Sequence, residues 1–147
     1  MDYSDISVEP LAADAFADFG EIVMHGIGVP RYSGADLQSW PIPLDHDGPL
    51  EMMLIRYEYV EPRLTFLERH FHISQAFFPM GGIGSIMVVA PASDPQNAPE
   101  PNAVRAFYMD GAAGVVLKRG IWHALSRFPI VPPAIDMVFV TDSVTQG

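Results

Sequence analysis

The sequence predicts a mainly all-β domain, a sandwich or a barrel of jelly-roll type, with one short N-terminal helix. Three observations carry that expectation. At least eight short runs are rich in β-branched and aromatic residues, Gly or Pro turns separate them, and apolar spacing of helical period is almost absent. At 147 residues the chain reads as a single domain, 1–147, long enough to bury a core.

Leu11, Phe16 and Phe19 lie near helical spacing and Gly20 offers a stop, so a helix is expected at about residues 11–19, leading into a strand at 21–24. Residues 25–50 are punctuated by Gly26, Gly28, Pro30, Gly34, Pro41, Pro43, Gly48 and Pro49, which break any periodicity. An irregular segment of that length is expected to be a lid over a site or an interface segment. From Glu51 the pattern turns to strands, expected at 52–59, 64–68, 75–78, 84–90, 104–109, 115–117, 122–125 and 135–141. Between them, 91–103 holds four prolines and reads as one exposed loop.

Composition excludes several functions. A formal charge of −10 argues against nucleic acid or an anionic membrane as a partner, because an acidic surface gains nothing from either. An anionic small substrate remains open, since it needs only a local cluster of Arg or Lys. The absence of cysteine removes disulfides, thiolate zinc sites and a cysteine nucleophile. The first residues lack a basic region followed by an apolar run, and the most apolar stretch, 83–90, is far below the ~20 residues that span a bilayer. A soluble cytoplasmic protein is expected.

Titratable side chains cluster in two segments that otherwise read as apolar β-structure: Glu68-Arg69-His70-Phe71-His72 with Gln75, and Lys118-Arg119-Gly120-Ile121-Trp122-His123. Burying such groups without a use for them is costly, so they point to a site. Their spacing resembles that of the jelly-roll enzymes called cupins: Glu68-x-His70, then Gln75 and Gly82, then Gly120-x-x-His123. Alternate strand residues share a face, so Glu68 and His70 are expected together, and His72 would share that face too. A divalent transition metal (Ni, Mn, Fe or Zn) on His70, His72, Gln75 and His123 is one reading, although Gln is a weak neutral ligand. The alternative for His72 is an ordinary half-buried strand residue. Arg69 is expected on the opposite face, pairing with an acid or reaching another subunit. Lys118 or Arg119 could hold a substrate carboxylate or be solvated. Trp122 could wall the pocket or pack in the core. Phe77, Phe78, Phe107 and Phe128 read as core, and His25 and His46 as solvated loop residues.

At these residues the chain resembles the ureidoglycolate lyase family. The resemblance rests on Leu67-Glu68-Arg69-His70 followed at the family's spacing by Gln75-Ala76-Phe77-Phe78-Pro79-Met80. Arg105-Ala106-Phe107, Gly111 to Val115, Arg119-Gly120-Ile121-Trp122-His123 and the opening Ala15 to Gly20 add to it. It implies a cupin-like β-barrel, usually a homodimer, that splits ureidoglycolate into glyoxylate and urea in allantoin and purine breakdown. It further implies His70 and His123 as acid/base groups or metal ligands, Glu68 and Gln75 as orienting groups, and Arg119 or Lys118 on the substrate carboxylate, with Arg69 and Trp122 nearby. The chain departs from the family at Ala124-Leu125, where His-Pro is usual, at Lys118, where His is usual, and at His72, where an apolar residue is usual.

Two other classes compete with this expectation. One is a metal-dependent cupin isomerase, dioxygenase or sugar-acid enzyme; the other is a non-catalytic barrel that binds a small molecule.

Overall fold

Short strands far outweigh helix in this protein, as seen in a computed structural model that describes residues 6–94 and 96–143. In chain order these are β1 (Val8–Pro10), α1 (Ala13–Phe16), β2 (Gly20–Val23), β3 (Tyr32–Ser33), β4 (Gln38–Ser39), β5 (Leu50–Glu58), β6 (Leu67–Glu68) and β7 (Ala76–Met80). They continue with β8 (Ser85–Ala90), β9 (Arg105–Met109), β10 (Gly114–Leu117), β11 (Trp122–Ala124) and β12 (Ala134–Asp142). Two five-stranded sheets result, in the orders β1-β9-β8-β11-β6 and β2-β10-β7-β12-β5, with β3 and β4 as a separate hairpin. This is the expected cupin-like β-sandwich or barrel. No helix among the described residues is long and apolar enough to cross a membrane.

The sheets enclose one main core. Phe16, Phe19 and Phe107 form an aromatic cluster, with Phe16 edge-on to Phe107 at 5.3 Å between ring centroids. Met87, Met109, Met137, Val89 and Val115 fill the space beside it. Such aromatic pairs add ~0.5–1.5 kcal/mol to their area burial.

Local structure departs from the sequence reading in three places. The helix expected over 11–19 is only Ala13–Phe16. A single turn is too short to stand on propensity alone; the turn after it seats both Phe16 and Phe19 on Phe107, and that packing satisfies the apolar spacing. β1 was not expected, because three residues ending in proline carry no periodicity; it is held by parallel pairing to β9. Within 25–50, the hairpin of β3 and β4 replaces pure irregularity. The end of that segment is laced to residues 72–74 by backbone bonds from Asp47 to His72 (2.9 Å) and from Ser74 to Asp45 (2.7 Å).

Candidate active site

The site forms where β6, β11 and β7 meet, at one end of the space between the sheets. In the antiparallel pairing of β11 with β6, His123 lies directly opposite Glu68, and directly opposed residues project to the same side of a sheet. Two residues after Glu68, His70 returns to that side with its Nε2 3.6 Å from the Glu68 carboxylate. The rings of His70 and His123 are 5.3 Å apart and tilted by 34°. One turn fixes this meeting: Gly120 has φ of 78°, open to glycine but strained for other residues, and its N–H donates to the His70 carbonyl at 2.8 Å. The glycine therefore holds the two halves of the site in register.

Glu68, His70, Gln75, His123 and Arg127 all line a cavity of about 270 Å³, which Tyr57, Phe77 and Phe139 close with apolar surface. Gln75 is buried and donates its amide to the Thr141 hydroxyl at 3.1 Å, which fixes the orientation of the carboxamide. The cavity is small and largely apolar with a few convergent polar groups, as expected of a small-ligand site.

His123 is only 4% exposed. Burial, and then the charges of Arg127 and His70, push its imidazole down to about 3, so the ring is neutral near pH 7. Its Nδ1 is 3.2 Å from the Ala124 carbonyl. A carbonyl can only accept, so this contact assigns the proton to Nδ1 and leaves Nε2 as a bare acceptor. Nε2 is buried and has no partner among the described residues.

Ligand atoms of Glu68, His70 and His123 lie within 4.8 Å of one another. Two imidazoles and a carboxylate suit Mn, Fe, Ni or Zn, and the bare, buried Nε2 of His123 is the donor such an ion requires. The residues therefore fit a divalent transition metal. His72, the fourth metal-competent residue of the sequence reading, is not brought to this group. β6 stops at Glu68 and the chain bends at 71–72, so strand alternation does not extend to His72. Its exposed ring lies 3.2 Å from the Asp47 carboxylate instead.

The cations expected to serve the substrate are also engaged by the protein. Arg119 reaches Asp45 and Asp47, both at 2.9 Å, and donates to the Phe71 carbonyl at 3.2 Å. Beside Asp47, its guanidinium and then the His72 ring hold the carboxyl below the usual carboxylate range. Lys118 donates to the Ala17 carbonyl at 2.8 Å, while its chain touches a very small void behind His70 and His123. Arg69 stacks on Trp122 at 4.1 Å and on Phe71 at 4.8 Å, and donates to the Ser93 and Asp94 carbonyls. Trp122 donates to the Ser93 hydroxyl at 3.0 Å, so Arg69 and Trp122 together pin the start of the 91–103 loop.

Arg127 is the polar residue that the sequence reading missed. It is 1% exposed and stacks on Phe77 at 4.1 Å. One guanidinium nitrogen, Nη1, donates to the Ala124 carbonyl at 2.8 Å. Nε and Nη2 are buried with no hydrogen-bond partner among the described residues. Each unsatisfied buried donor costs ~1–3 kcal/mol, more when it carries charge. A signal did exist in the sequence: a lone cation in the otherwise apolar surroundings of Ala124-Leu125 and Phe128-Pro129-Ile130-Val131, in a chain with only eight Lys and Arg.

Comparison with known proteins points in one direction. A family model described as ureidoglycolate lyase matches residues 3–146. Proteins named ureidoglycolate lyase are similar over most of the chain. The one from Azotobacter vinelandii is 35% identical over 127 residues, covering 80% of this chain and 74% of the relative. That from Pseudomonas savastanoi pv. phaseolicola is 34% identical over 128 residues, covering 79% and 71%. The Burkholderia cepacia protein is 33% identical over 144 residues, covering 86% and 78%.

Proposed function

The chain belongs to the ureidoglycolate lyase family, and from that premise we propose that it is a cytoplasmic lyase that splits ureidoglycolate into glyoxylate and urea, in allantoin and purine-nitrogen breakdown. The observation that carries the reading is the meeting of His70, Glu68 and His123 around a small cavity. The reaction is an elimination that consumes no water. A base removes the proton of the carbinol hydroxyl, and the O–H electron pair becomes the second carbon–oxygen bond. The C–N bond breaks, and the departing ureido nitrogen takes up a proton to leave as urea.

His70 is suited to carry that proton from oxygen to nitrogen, with the Glu68 carboxylate 3.6 Å behind it to stabilise the imidazolium. His123, held neutral with a bare Nε2, accepts a hydrogen bond from the substrate and orients it. Gln75, held by Thr141, supplies a further orienting group. Phe77 and Phe139 exclude water, which strengthens each of these polar contacts. Purified enzyme is expected to release glyoxylate and urea in equal amounts. Normal turnover in both His70→Ala and His123→Ala would remove these roles.

The same three residues support a second reading, a metal-dependent enzyme of the cupin type. Held by Glu68, His70 and His123, a divalent cation would supply Lewis-acid polarisation of a substrate oxygen. The two uses compete for the nitrogens of His70 and His123, so metal content after purification without chelator separates them.

A homodimer is part of the proposal. β5 lies at the edge of its sheet, and Met52 (72% exposed) and Leu54 (67%) project outward from it. An edge strand with Met52, Met53 and Leu54 exposed in a row is a natural site for association with a second copy.

A further inference from the structure

The cavity wall contains a cation, Arg127, with two guanidinium nitrogens that have no hydrogen-bond partner among the described residues. Arg127 lies on the turn after β11, and the geometry of that turn turns it inward. Phe128, the next residue, has φ of 43°, a conformation bulky side chains rarely adopt. The turn is clamped by the Ile86 N–H, which donates to the Arg127 carbonyl at 2.9 Å, and by the Phe128 N–H, which donates to the Ser126 hydroxyl at 3.0 Å. Backbone strain of this kind persists where the surroundings impose it, and it clusters at ligand sites. Here it holds the guanidinium in the same cavity wall as His70, Gln75 and His123.

Phe77 covers the guanidinium face at 4.1 Å, and Nη1 is fixed to the Ala124 carbonyl. Nε and Nη2 remain unpartnered among the described residues, and no ion pair engages Arg127 there. Adjacent Nε–H and Nη2–H groups form one edge of the guanidinium fork, the edge that binds a carboxylate through two parallel hydrogen bonds. By contrast, Arg119 already spends its two terminal nitrogens on Asp45 and Asp47.

We propose that Arg127 forms the anion subsite of the cavity, binding the carboxylate of a small 2-hydroxy or 2-oxo acid bidentately through Nε and Nη2. The C2 oxygen of the ligand then faces His70 and His123. The identity of the acid as ureidoglycolate rests on the lyase reading above; the subsite itself does not. Charge at Arg127 also contributes to keeping His123 neutral, and a bound carboxylate would offset that charge.

The test uses glyoxylate and its neutral amide as probes, in calorimetric titrations of the full chain alongside turnover of ureidoglycolate. Wild type is expected to prefer glyoxylate. Arg127→Met is expected to abolish the preference and to raise KM for ureidoglycolate by roughly 30-fold or more, with a smaller change in kcat. Arg127→Lys should restore part of the preference. If Arg127→Met keeps the preference while Arg119→Met loses it, the subsite is overturned. Should Arg127→Met fail to fold, a wild-type crystal structure with glyoxylate decides: a carboxylate on Nε and Nη2 supports the subsite, and a carboxylate elsewhere overturns it. Failure of the lyase reading looks different. Wild type would then leave ureidoglycolate intact yet still prefer small carboxylates over amides in a way that depends on Arg127.

Discussion

Two clusters in this protein use the same kinds of side chain in opposite ways. At the rim, Arg119 forms ion pairs with Asp45 and Asp47, and the His72 ring lies against Asp47. In the cavity, Arg127, His70 and His123 are accompanied by Glu68, and Nε2 of His123 and two nitrogens of Arg127 have no partner among the described residues. The rim is exposed, so its pairs are screened by water and salt and contribute little individually. The cavity is apolar-walled, so each unpaired group there is costly unless a ligand completes it. Charge pairs at the rim tie the 45–47 segment to Arg119 and His72; the incomplete ones inside line the cavity proposed to bind the ligand.

The largest effect expected from breaking this contrast is at His70. His70→Ala should lower kcat/KM for ureidoglycolate by about 10²- to 10⁴-fold, the usual contribution of a positioned acid/base group. A near-normal rate constant together with normal metal content would remove His70 from both readings.

Acid should separate the clusters next. The folded-state pKa of His123 is about 3 against an ordinary 6.5, so the unfolded chain binds a proton more readily than the folded one between those values. The stability held by neutral His123 is thus complete above pH 6.5 and is lost as pH falls toward 3. At ~1.4 kcal/mol per pKa unit, the loss amounts to several kcal/mol. Thermal melts from pH 7.5 to 4 should therefore fall steeply, and His123→Gln should flatten the slope. A Gln variant that melts with the wild-type pH dependence would put the acid sensitivity elsewhere. Asp47 also has a lowered pKa, so its contribution fades as pH falls through and below the ordinary carboxylate range near 3.8.

Metal affinity tests the cavity without relying on turnover. Under the metal-dependent reading, Glu68→Gln should weaken Zn or Mn binding by at least about tenfold in a competition titration. Equal affinity in the variant would remove Glu68 from the donor set.

The smallest effects belong to the outer surface. Arg119→Ala should change kcat/KM by less than about fivefold, with any loss of melting temperature diminishing in high salt. A large, salt-insensitive rise in KM would mean that Arg119 contacts substrate after all. Leu54→Glu on the outer face of β5 should shift the protein toward monomer in light scattering while leaving the cavity chemistry intact. An unchanged oligomer would move the interface away from β5.

Much of the fold was legible because strand signals are local. The runs at 84–90, 104–109 and 135–141 appear within a residue of their expected bounds as β8, β9 and β12. β1 was illegible because its only support is a distant partner, and the N-terminal helix shortened because aromatic packing outweighed its periodicity. In the site, Glu68 and His70 share a side by local geometry, whereas His123 joins them through the distant β6–β11 pairing, which only the resemblance to the cupin motif spacing made legible. His72 was misplaced because nothing in its neighbours announces that β6 ends at Glu68.

The sequence by itself therefore determined the β-architecture, because periodicity and turn residues act over short stretches of chain, and its motifs resembled those of one family closely enough to say which histidine segments belong together. Only the tertiary structure decided which charges are spent and which are free. Arg119 is spent because the 45–47 segment folds back upon it, and Arg127 lines the cavity because the turn at Phe128 carries it there. Burial and partnership depend on segments far apart in the chain, and they set whether a charge is neutralised, screened, or left waiting for a ligand.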